Sequence, residues 1–506
     1  MINRRTVIGG LAASASLPLI GAGPAQKRGG ILRVAADFQP TNLDPVAGTQ
    51  GGDFRFLYPL YQALVDWDPD TLKLIPGLAT KWTYTDPQTL VIDLRLGVLF
   101  HDGSRFDAAA AKFNLDRSKT DPRSNIKGDL ASVDSVQVNG PLQITLKLNR
   151  NDAALPAVLA ERAGMMASPA AIQKFGPDFA RNPVGTGPWK FSVWRDNDIL
   201  SVRRNDNFWQ TGRPYLDGID FKIIADTNIG LRSVIAGEND LVTSLSSTSK
   251  AIIDQQPGLG SSFASSQAMF PIWINWARKP FDDVRVRQAL NYAIDRNGFN
   301  KATEAGLNEI ANGILPKEHW AYDPTIQSRY PYDPAKARQL LTAAGLGSGF
   351  QMSMMGPTDE RSRQRQQVVI AQLAQVGIKV NLQGFSVNDS IKAFFVDKSG
   401  DALLILWGGR IDPTQTFRAI FSKDSFYNPA RTEPDGFGAA LAASEASQDL
   451  SVRVKALSKV QHIVSDNALM VPLVFDSDYV AYSKKVKGYR SNLVGRPRYD
   501  TVSIDS

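Results

Sequence analysis

The chain has 506 residues, 43% of them apolar and 21% charged, with no cysteine, three histidines and a formal net charge of +7. Disulfides, thiolate metal sites and a cysteine nucleophile are excluded, and His101, His319 and His462 lie too far apart in sequence to support a Ser-His-Asp relay or a histidine metal cluster. Length and apolar content predict two or three domains, while scattered Lys and Arg without a binding motif argue against nucleic acid.

The N-terminus carries two arginines, Arg4 and Arg5, ahead of a Gly/Ala-rich run that ends at Pro24-Ala25. This reads as a secretory signal over residues 1–25 with a twin-arginine start, cleaved after Ala25. Asn3 stands where Ser or Thr is usual, which leaves the unfolded-chain export route open. The run is broken by glycine, serine and Pro18, so it makes a poor membrane span. Without a cysteine to lipidate, a freely soluble periplasmic protein is expected.

Past the signal, Gly29 to Ala36 reads as a first strand, and the turn-rich loop Asp37 to Pro45 at its carboxyl end offers Phe38 to a ligand. A helix is predicted over 56–65. Hairpins follow, one turning at Asp86-Pro87-Gln88 and one at Asn139-Gly140, with a helix capped by Asp107 between them. Gly185-Thr186-Gly187 lacks the spacing to a Lys-Ser/Thr pair and reads as a tight turn, not a phosphate loop.

Near Phe270 to Trp276 the chain is expected to leave the first lobe. Alternation puts Ile272 and Ile274 on one face and Trp273 and Asn275 on the other, and either pair is a candidate for the cleft. Asp282 or Asp283 caps a helix with a buried Val286, Ala289, Leu290 stripe and solvated Arg285, Arg287 and Arg296. Asp333-Pro334 opens another helix, and a third runs over 361–376 into the strand 378–382. Ala402 to Leu406 is the right length for a strand buried on both faces. Beyond it, Trp407 offers a flat surface, Gly408 and Gly409 let backbone amides approach, and Arg410 presents a fork of donors suited to a carboxylate or phosphate. Asp412-Pro413 closes this candidate binding wall. Val471 to Phe475 reads as the return crossing.

Several of these stretches carry a resemblance: Leu43-Asp44-Pro45, Pro76-Gly77-Leu78-Ala79, Phe100-His101-Asp102-Gly103, Gly185-Thr186-Gly187-Pro188, Phe281 through Leu290, and Tyr332-Asp333-Pro334. In this order they resemble the extracellular solute-binding proteins of family 5, the dipeptide- and oligopeptide-binding receptors of ABC importers. The resemblance implies an α/β, two-lobed periplasmic-binding-protein fold with an extra subdomain in the first lobe and a hinge between lobes. Expected boundaries are 26–55, 176–270 and 475–506 for the first lobe's core, 56–175 for the subdomain and 271–474 for the second lobe. It also implies a monomer that takes a small molecule or short peptide, needs no cofactor or metal, and delivers its cargo to ABC permease subunits.

Relatives of this kind place an aspartate for the ligand's amino terminus in the loop after the Trp. Here Arg410 stands near that position, which favours an anionic ligand group. Asp412 taking the amino-binding role, or simply pairing with Arg410, are the alternatives. A periplasmic hydrolase using paired carboxylates is the competing class, although no motif brings two carboxylates together in a pocket.

Overall fold

The computed structural model describes residues 27–48 and 51–505, so the expected export signal at 1–25 lies outside the described residues. A ten-stranded mixed sheet runs through the molecule. In spatial order its strands are Ile378–Phe385, Phe350–Pro357, Ala402–Leu404, Leu259–Ile274, Met470–Ser483, Leu241–Val242, Ile31–Ala36, Gly218–Ile223, Ile199–Arg204 and Trp189–Arg195. The two long central strands join the lobes. They pair antiparallel from Leu259 opposite Ser483 to Trp273 opposite Met470, and the register slips between Ser265 and Met269 and again between Phe270 and Pro271. At about 3.3 Å per residue, strands of 16 and 14 residues span more than one lobe, and a bulge gives each a place to bend.

In the first lobe one large core gathers Leu32, Val34, Phe56, Phe221 and Tyr499 with the apolar side of a four-stranded antiparallel sheet. That sheet comprises Ala79–Asp86, Thr89–Leu94, Gln143–Leu148 and Val133–Gly140. Its second hairpin turns slightly later than Asn139-Gly140 suggests. Gly140 pairs with Gln143, so Pro141 and Leu142 make the turn, while Asn139 hydrogen-bonds across to Thr145 at 2.6 Å. The helix expected over 56–65 is Phe54–Leu60: it runs past Pro59, with Tyr61 N still donating to Leu57 O, and stops because Tyr61 is already extended. Asp107, Asp283 and Asp333 cap their helices as the sequence indicates, accepting from Ala110, Arg285 and Lys336 N–H groups.

The second lobe sandwiches its sheet between two helical layers. Trp273 and Leu403 point into one core with Phe395, Trp407 and Phe417, whereas Ile272, Ile274, Ala402 and Leu404 point into the other with Val286, Leu290 and Val369. Ala402–Leu404 is thus buried on both faces, lying parallel to Phe350–Pro357 and antiparallel to the first crossing strand. Two arginines expected in solvent are buried. Arg287 donates to the carbonyls of Phe281, Asp282 and Asn467, and Arg296 to those of Ala311 and Pro472 and to the Asn291 side chain. Both serve as cross-links between carbonyls of separated segments.

Candidate functional site

The loop after Ala402–Leu404 is held at both ends. Trp407 exchanges two backbone hydrogen bonds with Met269, each 2.8 Å, which ties it to the crossing strand at its bulge. Downstream, Asp412 caps the helix Pro413–Phe421 by accepting from Thr414 N at 2.9 Å, and the same oxygen takes Nη2 of Arg453 at 2.8 Å. Asp412 is 4% exposed. Its carboxylate is engaged inside its own lobe, with Arg453 in the place the sequence offered to Arg410.

Between these anchors the backbone makes a tight bend. Gly409 has φ +67, and a Cβ there would meet Gln267 Cγ at 2.7 Å, so glycine is required by conformation and by contact. Gly408 is exposed, with no atom within 4 Å of where a Cβ would stand. Next, Arg410 donates its backbone N–H to Thr416 Oγ1 at 3.0 Å, and its guanidinium lies 3.6 Å from Glu161 of the first lobe. Ile411 is wholly buried, in the first lobe's core. The loop therefore bridges the seam between lobes, as does the hydrogen bond from Ala153 N to Glu445 O at 3.1 Å.

On the first-lobe side, Glu161 accepts from Arg496 at 2.8 Å, and Arg496 lies over the Phe54 ring at 3.8 Å. Arg162 donates to the Gly48 carbonyl and sits 3.4 Å from Asp53, which also accepts from Thr41 N and Oγ1. Burial opposes ionisation of Glu161, but Arg496, Arg410 and Arg162 outweigh it and hold the carboxyl below its usual range. Asp129 is half-buried in the same field. Burial pushes its carboxyl up, Arg410 and Arg162 pull it down, and Glu161 pushes it up.

Two buried donors flank the glycines. Trp407 Nε1 and Gln267 Nε2 have no hydrogen-bond partner among the described residues, and Gln267 is 3% exposed. An unmatched buried donor costs roughly 1–3 kcal/mol, which an oxygen-rich ligand reaching it would recover. Gln267 N also donates to Leu493 O at 2.7 Å. Leu493 in turn lines a cavity of about 540 Å³ between the lobes, with Pro69 and Asp70 on one side, Leu307, Glu309 and Lys317 on the other, and Ser265 of the crossing strand.

The structure brings Trp407, Gly408, Gly409, Arg410 and Asp412 together and packs Trp273 against Trp407, ring centroids 5.9 Å apart. Trp273 is 2% exposed and donates to Ile405 O at 3.2 Å. Asn275 is equally buried, its backbone N–H on Asp401 O and its Oδ1 accepting from Ala277 N. Phe38 stays within the first lobe, half-buried, edge-on to Phe56 and under the Arg55 guanidinium. Glu161, Arg162, Arg496, Asp129 and Gln267 have no role in the sequence analysis, and the pair Arg496 and Arg498 around Pro497 is the one local pattern that could have drawn attention to any of them. Among the described residues no cluster of His, Asp or Glu is placed to hold a metal ion, and no helix is long and apolar enough to cross a membrane.

Comparison with known proteins gives a consistent outcome. Residues 73–428 match the family model for bacterial extracellular solute-binding proteins, family 5. The glutathione-binding protein GsiB of Salmonella paratyphi A is 30% identical over 477 residues, covering 91% of each chain. Among solved structures, the periplasmic binding protein DppA of Helicobacter pylori, in complex with the peptide STSA, superposes with a TM-score of 0.85. It has 23% identity over 95% of this chain and 99% of its own. The Agrobacterium binding protein AgaA, in complex with agropinic acid, gives a TM-score of 0.82 at 21% identity, over 94% of this chain and 99% of its own.

Proposed function

The chain belongs to the bacterial extracellular solute-binding proteins of family 5, and on that footing we propose that it is the receptor of an ABC importer for a small peptide or peptide-like acid. It closes its two lobes on this solute, and it catalyses no reaction. A twin-arginine signal at residues 1–25 sends it to the periplasm. There it works as a monomer and hands the ligand to the permease subunits.

The observation that carries this reading is the Trp407-Gly408-Gly409-Arg410 loop. It meets Glu161, itself held by Arg496, across the seam, with the donors of Trp407 and Gln267 unmatched beside it. A guanidinium and two neutral N–H groups around a glycine bend suit a carboxylate, which accepts several hydrogen bonds at once. The ligands named for the relatives, glutathione, a peptide and agropinic acid, have carboxylate chemistry in common. Arg410 and Gln267 are thus assigned to an anionic group of the ligand, and Trp407 and Gly408 to its adjoining surface.

Native mass spectrometry of the protein purified from the periplasm, followed by extraction of what it carries, tests the class directly. A carboxylate-bearing molecule is expected. Arg410→Ala should weaken its binding about 10–100-fold, the range for a charge-assisted hydrogen bond, yet leave an analogue with that carboxylate amidated unaffected. Equal weakening of both analogues would remove the carboxylate assignment.

A further inference from the structure

One segment of the first lobe, residues 152–161, meets the second lobe at each of its ends. At one end Glu161 faces Arg410. At the other, Ala153 N donates to the carbonyl of Glu445 at 3.1 Å, and Glu445 is the last residue of the helix Phe437–Glu445. Every residue from 152 to 161 is buried. Leu155 and Ala157 through Ala160 belong to the first lobe's core, and the short helix Leu155–Val158, with Pro156 in its first turn, stiffens the middle of the segment. Glu161 N closes that helix on Val158 O at 3.1 Å.

Ala153 and Ala154 are buried differently. They are 4% and 1% exposed yet lie outside the first lobe's core, and the Glu445 carbonyl reaches them from the second lobe. The acids on either side are satisfied at home. Asp152 accepts from Ser132 Oγ at 2.6 Å and from Ala154 N at 3.1 Å, while Glu445 pairs with Arg418 of its own lobe. Tyr84 fixes the loop from beneath, donating to Asp152 O at 2.6 Å. What passes between the lobes here is therefore a backbone hydrogen bond and packed methyl groups. Such a contact favours closure by the same amount for every solute, and salt does not screen it as it screens the pair of Arg410 and Glu161.

We propose that residues 152–154 are a closing latch. Their contact with the end of the helix Phe437–Glu445 sets the population of closed lobes, and the stiff segment behind them carries that closure to Glu161 and the Arg410 loop. This rests on the two-lobed receptor reading and adds the part of its closure that no solute supplies. Apparent affinity scales with the fraction of molecules in the binding-competent state, so the latch tunes all ligands by one factor.

The chain has no cysteine, so a pair of labels can be placed without side reactions. Val138→Cys in the first lobe and Val452→Cys in the second, 47% and 44% exposed in the native chain, take spin labels. The distance between them, read by pulsed electron resonance on the mature protein, reports closure without any solute. Ala153→Leu, which wedges the contact, should lower the ratio of closed to open molecules at least about fivefold. Tyr84→Phe frees the loop without filling the seam and should lower it less, which keeps the test usable should thermal unfolding show that the wedge does not fold. Arg410→Ala, or salt at about 1 M where the screening length is about 3 Å, should leave the ratio well above that of the wedge. Titrations of Ala153→Leu with glutathione and with trialanine should show one common loss factor. The latch is overturned if Ala153→Leu and Tyr84→Phe both keep the parent ratio, if Arg410→Ala or salt alone abolishes closure, or if the two probes weaken unequally. Because the distance needs no solute, a ratio that responds as expected in a protein that binds neither probe would sink the solute class and leave the latch standing.

Discussion

Gly409→Ala is the sharpest test of how the candidate binding loop is built, because its neighbour supplies the control. At φ +67 an L-residue pays roughly 1–2 kcal/mol for the left-handed backbone. The new methyl would also stand 2.7 Å from Gln267 Cγ and 2.9 Å from the Gln267 carbonyl oxygen. The side chain can swing away, but the carbonyl belongs to the crossing strand and moves only with the bulge, so overpacking adds about 1–3 kcal/mol. The sum is about 2–5 kcal/mol. Gly408→Ala meets nothing within 4 Å and should change stability by less than about 1 kcal/mol. Urea unfolding followed by tryptophan fluorescence, with binding of the copurified ligand measured on the same samples, separates the two. Gly409→Ala should unfold at distinctly lower urea and bind at least about tenfold more weakly, while Gly408→Ala tracks wild type in stability. A Gly409→Ala protein indistinguishable from Gly408→Ala in both assays would refute the account of the loop.

Two further consequences concern the ground beneath that loop. Arg453→Ala leaves Asp412 ionised and buried without its partner, at a cost of about 3–5 kcal/mol; Asp412→Asn combined with Arg453→Met should recover much of this, a pattern thermal unfolding of the three proteins would expose. His319, buried beside Asp412 and Arg453, is pushed down to about 4 by burial, with Asp412 opposing. Its folded value lies below the unfolded one, so its contribution is complete above about pH 6.5 and is lost as pH falls toward 4, reaching about 2 kcal/mol at pH 5. His319→Asn should lose correspondingly less stability between pH 7 and pH 5 than wild type in denaturant titrations. Parallel losses in the two proteins would discard His319 as the cause.

Where the sequence was readable, the physics was local. Asp107, Asp283 and Asp333 reveal helix starts because a capping carboxylate needs only the next three residues, and the apolar run from Ala402 betrays a buried strand, although that strand ends at Leu404 and Leu406 is exposed. Alternation across Trp273 and Ile274 failed to choose a cleft face for a definite reason. The crossing strand is central and both of its faces are roofed by helices, so each residue pair is core. Arg287 and Arg296 read as solvated because a guanidinium that collects carbonyls from distant segments looks, in sequence, like any arginine on a polar stripe. The site itself shows the same limit. Its second-lobe half is one contiguous motif, whereas Glu161, Arg496 and Gln267 come from three separated segments brought together by tertiary contacts, and Gln267 lies in the bulge of the crossing strand.

The pairing of Arg410 with Glu161 bears on how such a receptor closes. Three guanidinium groups drawn into a partly buried seam would repel one another and hold the lobes apart, since each charge is poorly screened there. Glu161, kept ionised by Arg496, removes that penalty, and Ile411 adds apolar burial on the far side. The closed arrangement is therefore tolerable without solute, but its Arg410–Glu161 contact at 3.6 Å is loose and the donors of Trp407 and Gln267 are unmet. On the proposed reading, a ligand carboxylate at these donors sits beside the first lobe's Glu161 and Arg496, and a solute that touches both lobes there gains binding energy only in the closed state. That differential is what a population shift toward closure requires.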